Sequence, residues 1–312
     1  MSVANGQPLR ELFAKCLAGS AQVDPHNGVL SELAEYFHVT PDEARKACRG
    51  TNEVSVQKWS ERDRSSSEGL LEFYRTQSNW IFGSMWYHAN QATTAAQPQI
   101  VDVFDALGHL APGRHLDYGC GVGSASLLAH CLGWNVALAD VSTTFLDFAR
   151  WRLSRHGVAA AFYDPTRDEL STDTFDLVTA FNTMVHIRDV PETLVKVHRA
   201  MKLGGHFVFN VDARKRTPAT EWFLYDHHYP IVRHVRHLGF RREENIGTFY
   251  VYRKVRRSRP EAVGIGAVDS LRYNQYVSGV GDAVRSMRQW VYIARERVSG
   301  HQPRQRSGPG TA

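Results

Sequence analysis

Residues 114–123 read Arg-His-Leu-Asp-Tyr-Gly-Cys-Gly-Val-Gly. A short run leads into an acid, Asp117, and three glycines then alternate at Gly119, Gly121 and Gly123. Alternating glycines let a strand turn abruptly and let backbone approach a ligand where a Cβ would collide. The helix-prone stretch 124–132 follows and directs its first amides at whatever sits on the loop. Strand, glycine loop and helix open a nucleotide-type α/β unit, with Ser124 standing where a dinucleotide fingerprint has its third glycine. An acid two residues before the first glycine suits a cationic ligand and repels a pyrophosphate.

The rhythm that follows is strand and helix in turn. Residues 135–139 form a short apolar strand ending at Asp140, which lies 21 residues beyond Gly119. An acid at the tip of a second strand accepts hydrogen bonds from ribose hydroxyls, while Ser142 and Thr143 are free to cap the next helix. A third strand spans 158–163 and ends at Asp164. The fourth, 174–181, is apolar almost throughout, as in a buried parallel strand. A helix over 191–201 and a turn at 202–205 lead to a fifth strand, 206–211. Such alternation implies a parallel sheet with right-handed crossovers and a ligand outside the carboxyl ends of the strands. Asp117, Asp140, Asp164 and Asn182 all fall at those ends.

Together these residues resemble a class I S-adenosylmethionine-dependent methyltransferase of the group that acts on small molecules. The resemblance runs from Gln99 to Lys254 and rests on residues 116–123, Asp140, Asp164, 175–178, 182–186 and 202–205, with the closing segments 238–240 and 248–253. Leu203 departs from it, standing where the family usually has proline. The implied fold is a Rossmann-like, mostly parallel seven-stranded sheet with helices on both faces. The implied cofactor is S-adenosyl-L-methionine: Asp117 and the backbone of Gly119, Gly121 and Gly123 hold its methionine moiety, Asp140 the ribose and Asp164 the adenine amino group, with Asn182 facing the methyl donor. Methyl transfer is an in-line displacement at a sulfonium, so positioning supplies much of the rate. A base is needed only when the acceptor must lose a proton. His186 is the first candidate for it and His88 the second, because imidazole titrates near neutrality.

Around this core the chain divides into a helical N-terminal cap (1–60), a linker with an aromatic helix (61–98), the core (99–255) and a helical C-terminal extension with a disordered tail (256–312). Residues 30–46 resemble a helix-turn-helix, but with only Arg45, Lys46 and Arg49 as basic residues they read as a cap. Residues 60–69 are polar and linker-like. The stretch 70–89, with Phe73, Tyr74, Trp80, Phe82, Trp86 and Tyr87, suits both core packing and one wall of a substrate site. Residues 221–237 bring together Asp226, His227, His228, His234 and His237; a surface lid, with Trp222, Phe223, Tyr225 and Tyr229 closing over the acceptor, explains them better than a metal site. A helix within 270–297 packs on the domain or on a second subunit, which leaves a homodimer open.

Composition narrows the class. The 312 residues carry a formal charge of +5, a pI near 9.0 and 43% hydrophobic residues, enough for a large α/β domain. No apolar run reaches the roughly 18 residues of a membrane span, no secretion signal is visible, and the four cysteines have no metal spacing. A cytoplasmic enzyme with a small, apolar or aromatic acceptor is the expectation. An RNA methyltransferase, a non-catalytic cofactor-binding module and a dehydrogenase are the alternatives.

Overall fold

The computed structural model describes residues 7–19, 24–62, 66–94, 99–214, 217, 220–225 and 228–256; the extension expected beyond residue 256 lies outside them. Helices α1 (Gln7–Ala18), α2 (Pro25–Phe37), α3 (Pro41–Arg49), α4 (Thr51–Ser60), α5 (Ser67–Arg75), α6 (Asn79–Thr93) and α7 (Ile100–Ala106) precede the first strand. The α/β part then runs β1 (Arg114–Tyr118), α8 (Ser124–Cys131), β2 (Asn135–Ala139), α9 (Thr143–Arg155), β3 (Ala161–Tyr163) and β4 (Phe175–Ala180). It continues with α10 (Val190–Ala200), β5 (Met201–Asn210), α11 (Tyr229–His237), β6 (Phe240–Ile246) and β7 (Phe249–Lys254).

All seven strands form one sheet in the order β3-β2-β1-β4-β5-β7-β6. The first five are parallel, and β7 joins β5 and β6 antiparallel. The order reverses between β1 and β4, so the crevice for a ligand opens at their carboxyl ends. One face carries α8 and α9 with Leu128, Phe148 and Leu153 inward; the other carries α10 and α11 with Leu194, Val197, Ile231 and Val235 inward.

Local chemistry accounts for most boundaries. Thr40 and Glu43, spaced Thr-x-x-Glu in the sequence, form a capping box at the start of α3, and Ser142 caps α9 by accepting from the Phe145 amide. Helix α2 starts at Pro25 because Asp24 caps it and the proline occupies its first turn. Helices α1, α2, α3 and α4 pack against α6, and α1 also meets α8. Cys16 and Cys131, distant in sequence, bring their Sγ atoms to 3.1 Å across α1 and α8 as free thiols.

Three expectations need correction. The aromatic stretch is two helices, not one: the chain breaks at 76–78, where Thr76 turns its hydroxyl onto the Glu72 carbonyl and ends α5. The polar linker is shorter than 60–69, since α4 runs to Ser60 and Ser66 already caps α5. Residues 202–205 belong to β5; its register shifts there against β4, between Phe175 and Leu177. Lys202 pairs with Asp176 at 2.9 Å and Gly204 takes a φ of +85°, so the irregularity is absorbed inside the strand.

Candidate active site

At the carboxyl ends of β1, β2 and β4 lies a cavity of about 880 Å³. The glycine loop forms its floor. Gly119 and Cys120 donate to the Ala139 carbonyl at 2.7 and 3.1 Å, which folds the loop over the end of β2. A side chain at Gly119, where φ is +74°, would collide with Thr183. At Gly121 an added Cβ would meet nothing within 4 Å, so the space above it is open to a ligand.

Asp117, Asp140 and Asp164 are all buried. Asp117 lines the cavity and accepts from Ser126 Oγ at 2.9 Å and Thr179 Oγ1 at 3.1 Å. Asp140 accepts from the Gly121 amide at 3.0 Å and the Ser142 amide at 2.9 Å, tying the loop to the start of α9. Burial pushes both carboxyls up to about 6, against the hydrogen bonds that favour their charge. Neighbouring acids add to the rise: Asp140 acts on Asp117, and Asp164 on Asp140.

Asp164 is placed differently from the reading of the sequence. It is not among the residues that line the cavity; Pro165 and Thr166 are. Its Oδ1 accepts from the Thr166 amide and hydroxyl at 2.9 and 2.6 Å, and Arg75 stands 3.5 Å from Oδ2. Buried Oδ2 has no hydrogen-bond partner. Asn182 does line the cavity, in a left-handed conformation with φ of +54°. Its amide is locked: the backbone N–H and side-chain oxygen pair with Asn210, both at 2.6 Å, and Nδ2 donates to Gln99 at 3.2 Å.

The opposite wall is aromatic. Trp80, Ser84, Tyr87, His88 and Gln91 recur at the spacing of one face of α6 and all line the cavity, with Tyr74 of α5 and Trp222 beside them. His186 sits among Tyr74, Trp80 and Phe223, with ring centroids 5.6, 6.0 and 4.9 Å away. Burial lowers its pKa to about 4, leaving a neutral ring at pH 7. Nδ1 lies 3.0 Å from the Trp222 carbonyl. A carbonyl only accepts, so Nδ1 carries the hydrogen and Nε2 is left as an acceptor. His88 is likewise held neutral by burial, its pKa lowered to about 3.

The sequence singles out the aromatic members of this wall and His88, but not its other polar members. Ser84, Gln91 and Gln99 carry no motif; only the cavity-facing register of α6 singles out the first two. Of the expected lid, Trp222 and Phe223 are buried with Trp59, Phe73 and Tyr74 in an aromatic cluster. Asp226 and His227 lie outside the described residues. Among those described, no group of three or more metal-binding side chains is found, and no helix is long and apolar enough to cross a membrane.

Comparison with known proteins decides the family. A family profile described as "Methyltransferase domain" matches residues 87–249, more than half of the chain. The chain belongs to the methyltransferase domain family. The matched domain spans the glycine loop, the three acids and His186 and begins inside α6.

This methyltransferase domain is 26% identical over 179 residues to phosphoethanolamine N-methyltransferase 3 of Arabidopsis thaliana, across 56% of this chain and 34% of that protein. It is 31% identical over 111 residues to a ubiquinone biosynthesis O-methyltransferase of Pseudomonas aeruginosa, across 35% of this chain and 48% of the relative. The chain thus covers less than half of either relative. Among solved structures, phosphoethanolamine N-methyltransferase 2 of Haemonchus contortus in complex with S-adenosyl-L-methionine aligns with a TM-score of 0.48 at 22% identity. That alignment covers 72% of this chain and 56% of the other.

Proposed function

We propose that the cavity binds S-adenosyl-L-methionine and that the chain transfers its methyl group to a small-molecule acceptor. The observation that carries this reading is the set of buried acids at one crevice, two of them raised to about 6 by burial and by their acidic neighbours. Clustered carboxylates are unfavourable without a cation, and a sulfonium with an amino group supplies one. In this reading Asp117 and the loop from Gly119 to Gly123 receive the methionine moiety. Asp140 takes the ribose hydroxyls, and the adenine lies against Pro165 and Thr166 of the turn that Asp164 braces from behind.

The acceptor would lie against α6, near Asn182 and His186. Between Leu70 and Ile100 the cavity lining contains no Lys, Arg, Asp or Glu among the described residues. This wall is uncharged while the charged lining, Arg188, Asp189, Glu192 and Lys196, lies elsewhere in the cavity, so an uncharged apolar or aromatic acceptor fits the wall best. His186 Nε2 would accept the hydrogen bond of the attacking O–H or N–H and receive its proton where the acceptor must lose one. The sulfonium loses its charge as the methyl group leaves, and Asn182, held by Asn210 and Gln99, keeps the acceptor in line.

Calorimetry with S-adenosylmethionine and S-adenosylhomocysteine tests the cofactor, and labelled methyl transfer to an acceptor panel tests the rest. Neutral phenolic or apolar hydroxylated acceptors should be methylated and phosphoethanolamine should not. No cofactor binding would sink the whole reading, and turnover of phosphoethanolamine alone would sink the acceptor class.

A further inference from the structure

Arg152 lies in the last turn of α9 and is wholly buried. A buried guanidinium persists only when paired and hydrogen-bonded. Its Nε donates to Glu32 Oε2 at 2.7 Å, and Glu32 belongs to α2, outside the matched methyltransferase domain. Its Nη1 donates to the Val122 carbonyl at 3.0 Å and to Ser124 Oγ at 2.8 Å, both in the turn that carries the glycines into α8. The other Glu32 oxygen is 2.5 Å from His156 Nε2. Burial alone would raise the Glu32 carboxyl, but Arg152 and His156 outweigh it and hold the group ionised.

The same network reaches the cavity. Ser124 is fully buried, and with Arg152 on one of its lone pairs the hydroxyl hydrogen has to find an acceptor. His88 Nδ1, 2.9 Å away, is the acceptor present. An imidazole that accepts at Nδ1 while neutral carries its hydrogen on Nε2. His88 therefore offers a donor to the cavity, whereas His186 offers an acceptor.

We propose that Glu32 is a positioning residue: by holding Arg152 it fixes the glycine loop at Val122 and sets which nitrogen of His88 bears the hydrogen. Its effect on methyl transfer rests on the cofactor reading above, but the tautomer of His88 does not. Glu32→Gln leaves Arg152 as an unpaired buried charge and endangers the fold. Glu32→Gln with Arg152→Met removes both charges, an exchange proteins tolerate far better.

The test is long-range ¹H–¹⁵N imidazole spectroscopy on the ligand-free full chain, with His88 assigned from His88→Asn, followed by titration with S-adenosylhomocysteine. The parent should show His88 as the single Nε2–H tautomer. The double variant should show mixed tautomers and bind S-adenosylhomocysteine roughly threefold to thirtyfold more weakly, the range of coupling carried by such networks. A parent His88 protonated on Nδ1, or a folded double variant with the parent's tautomer and affinity, overturns the proposal. If S-adenosylhomocysteine binds neither protein, the cofactor reading falls, while the tautomer comparison still decides the role of the Glu32–Arg152 pair.

Discussion

Burial raises the carboxyl of Asp117 to about 6 although two hydroxyls donate to it. Above that pH the folded chain carries a buried charge that the unfolded chain leaves in water. Below the ordinary carboxylate range neither state carries it. The stability contributed by the neutral form is therefore present at low pH and lost as pH rises through 6. Asn at this position mimics the neutral group, so Asp117→Asn should melt at a higher temperature than the parent at pH 8, with the gap closing toward pH 4. The same variant should bind S-adenosylmethionine more weakly, the usual conflict between stability and a strained site. Equal melting of the two proteins at pH 8 would contradict the buried charge. Asp140 is a second test at this scale. Its oxygens hold the loop amide of Gly121 and in the proposed reading take the ribose hydroxyls, so Asp140→Ala should weaken cofactor binding by more than about tenfold. An unchanged dissociation constant refutes the ribose role.

Helices α5 and α6 bring the aromatic wall to the cavity, and their meeting with the segment after β5 fixes His186. The Trp222 carbonyl faces both His186 Nδ1, at 3.0 Å, and the Tyr74 hydroxyl, which donates to it at 2.7 Å. Tyr74→Phe frees that carbonyl to shift and with it the imidazole. Turnover should fall about fivefold, the worth of one ordinary hydrogen bond, while cofactor affinity stays at the parental value; a parental turnover number would show that Tyr74 only packs. None of this pairing is legible in the sequence, because Trp222 acts through a backbone carbonyl and lies 148 residues from Tyr74. Legibility followed the range of the interaction. Strand ends, the capping box at Thr40 and the loop around Gly121 are local and were readable. The break at 76–78 was hidden by continuous aromatic content, and β5 absorbed its expected turn as a register shift against β4 between Met201 and His206.

At the scale of the molecule, the sheet gathers at one crevice three acids from three strand ends. The sequence already implied this convergence, since strand ends in a parallel sheet share one edge. It did not reveal that Asp164 stands behind Pro165 and Thr166, or that Glu32 reaches the loop through Arg152, because both depend on how helices seat against the sheet. The gathered acids make a prediction about proton balance. Near pH 6 Asp117 and Asp140, each raised to about 6 by burial, are each about half protonated. A sulfonium and an amino group placed beside them favour the charged form and pull both values down, so binding S-adenosylmethionine at pH 6 should release protons. Affinity should accordingly fall as pH drops through 6 and level off above about pH 7. Calorimetry at pH 6 in two buffers of different ionisation heat measures the release directly. The enthalpies should differ in the sense of protons passing to buffer, by up to about half a proton per acid. At pH 8 the difference should vanish, and in Asp117→Asn it should shrink to the share of Asp140. Buffer-independent heats at pH 6, or uptake of protons on binding, would mean that the acids do not meet the cation and that the ligand lies elsewhere in the cavity.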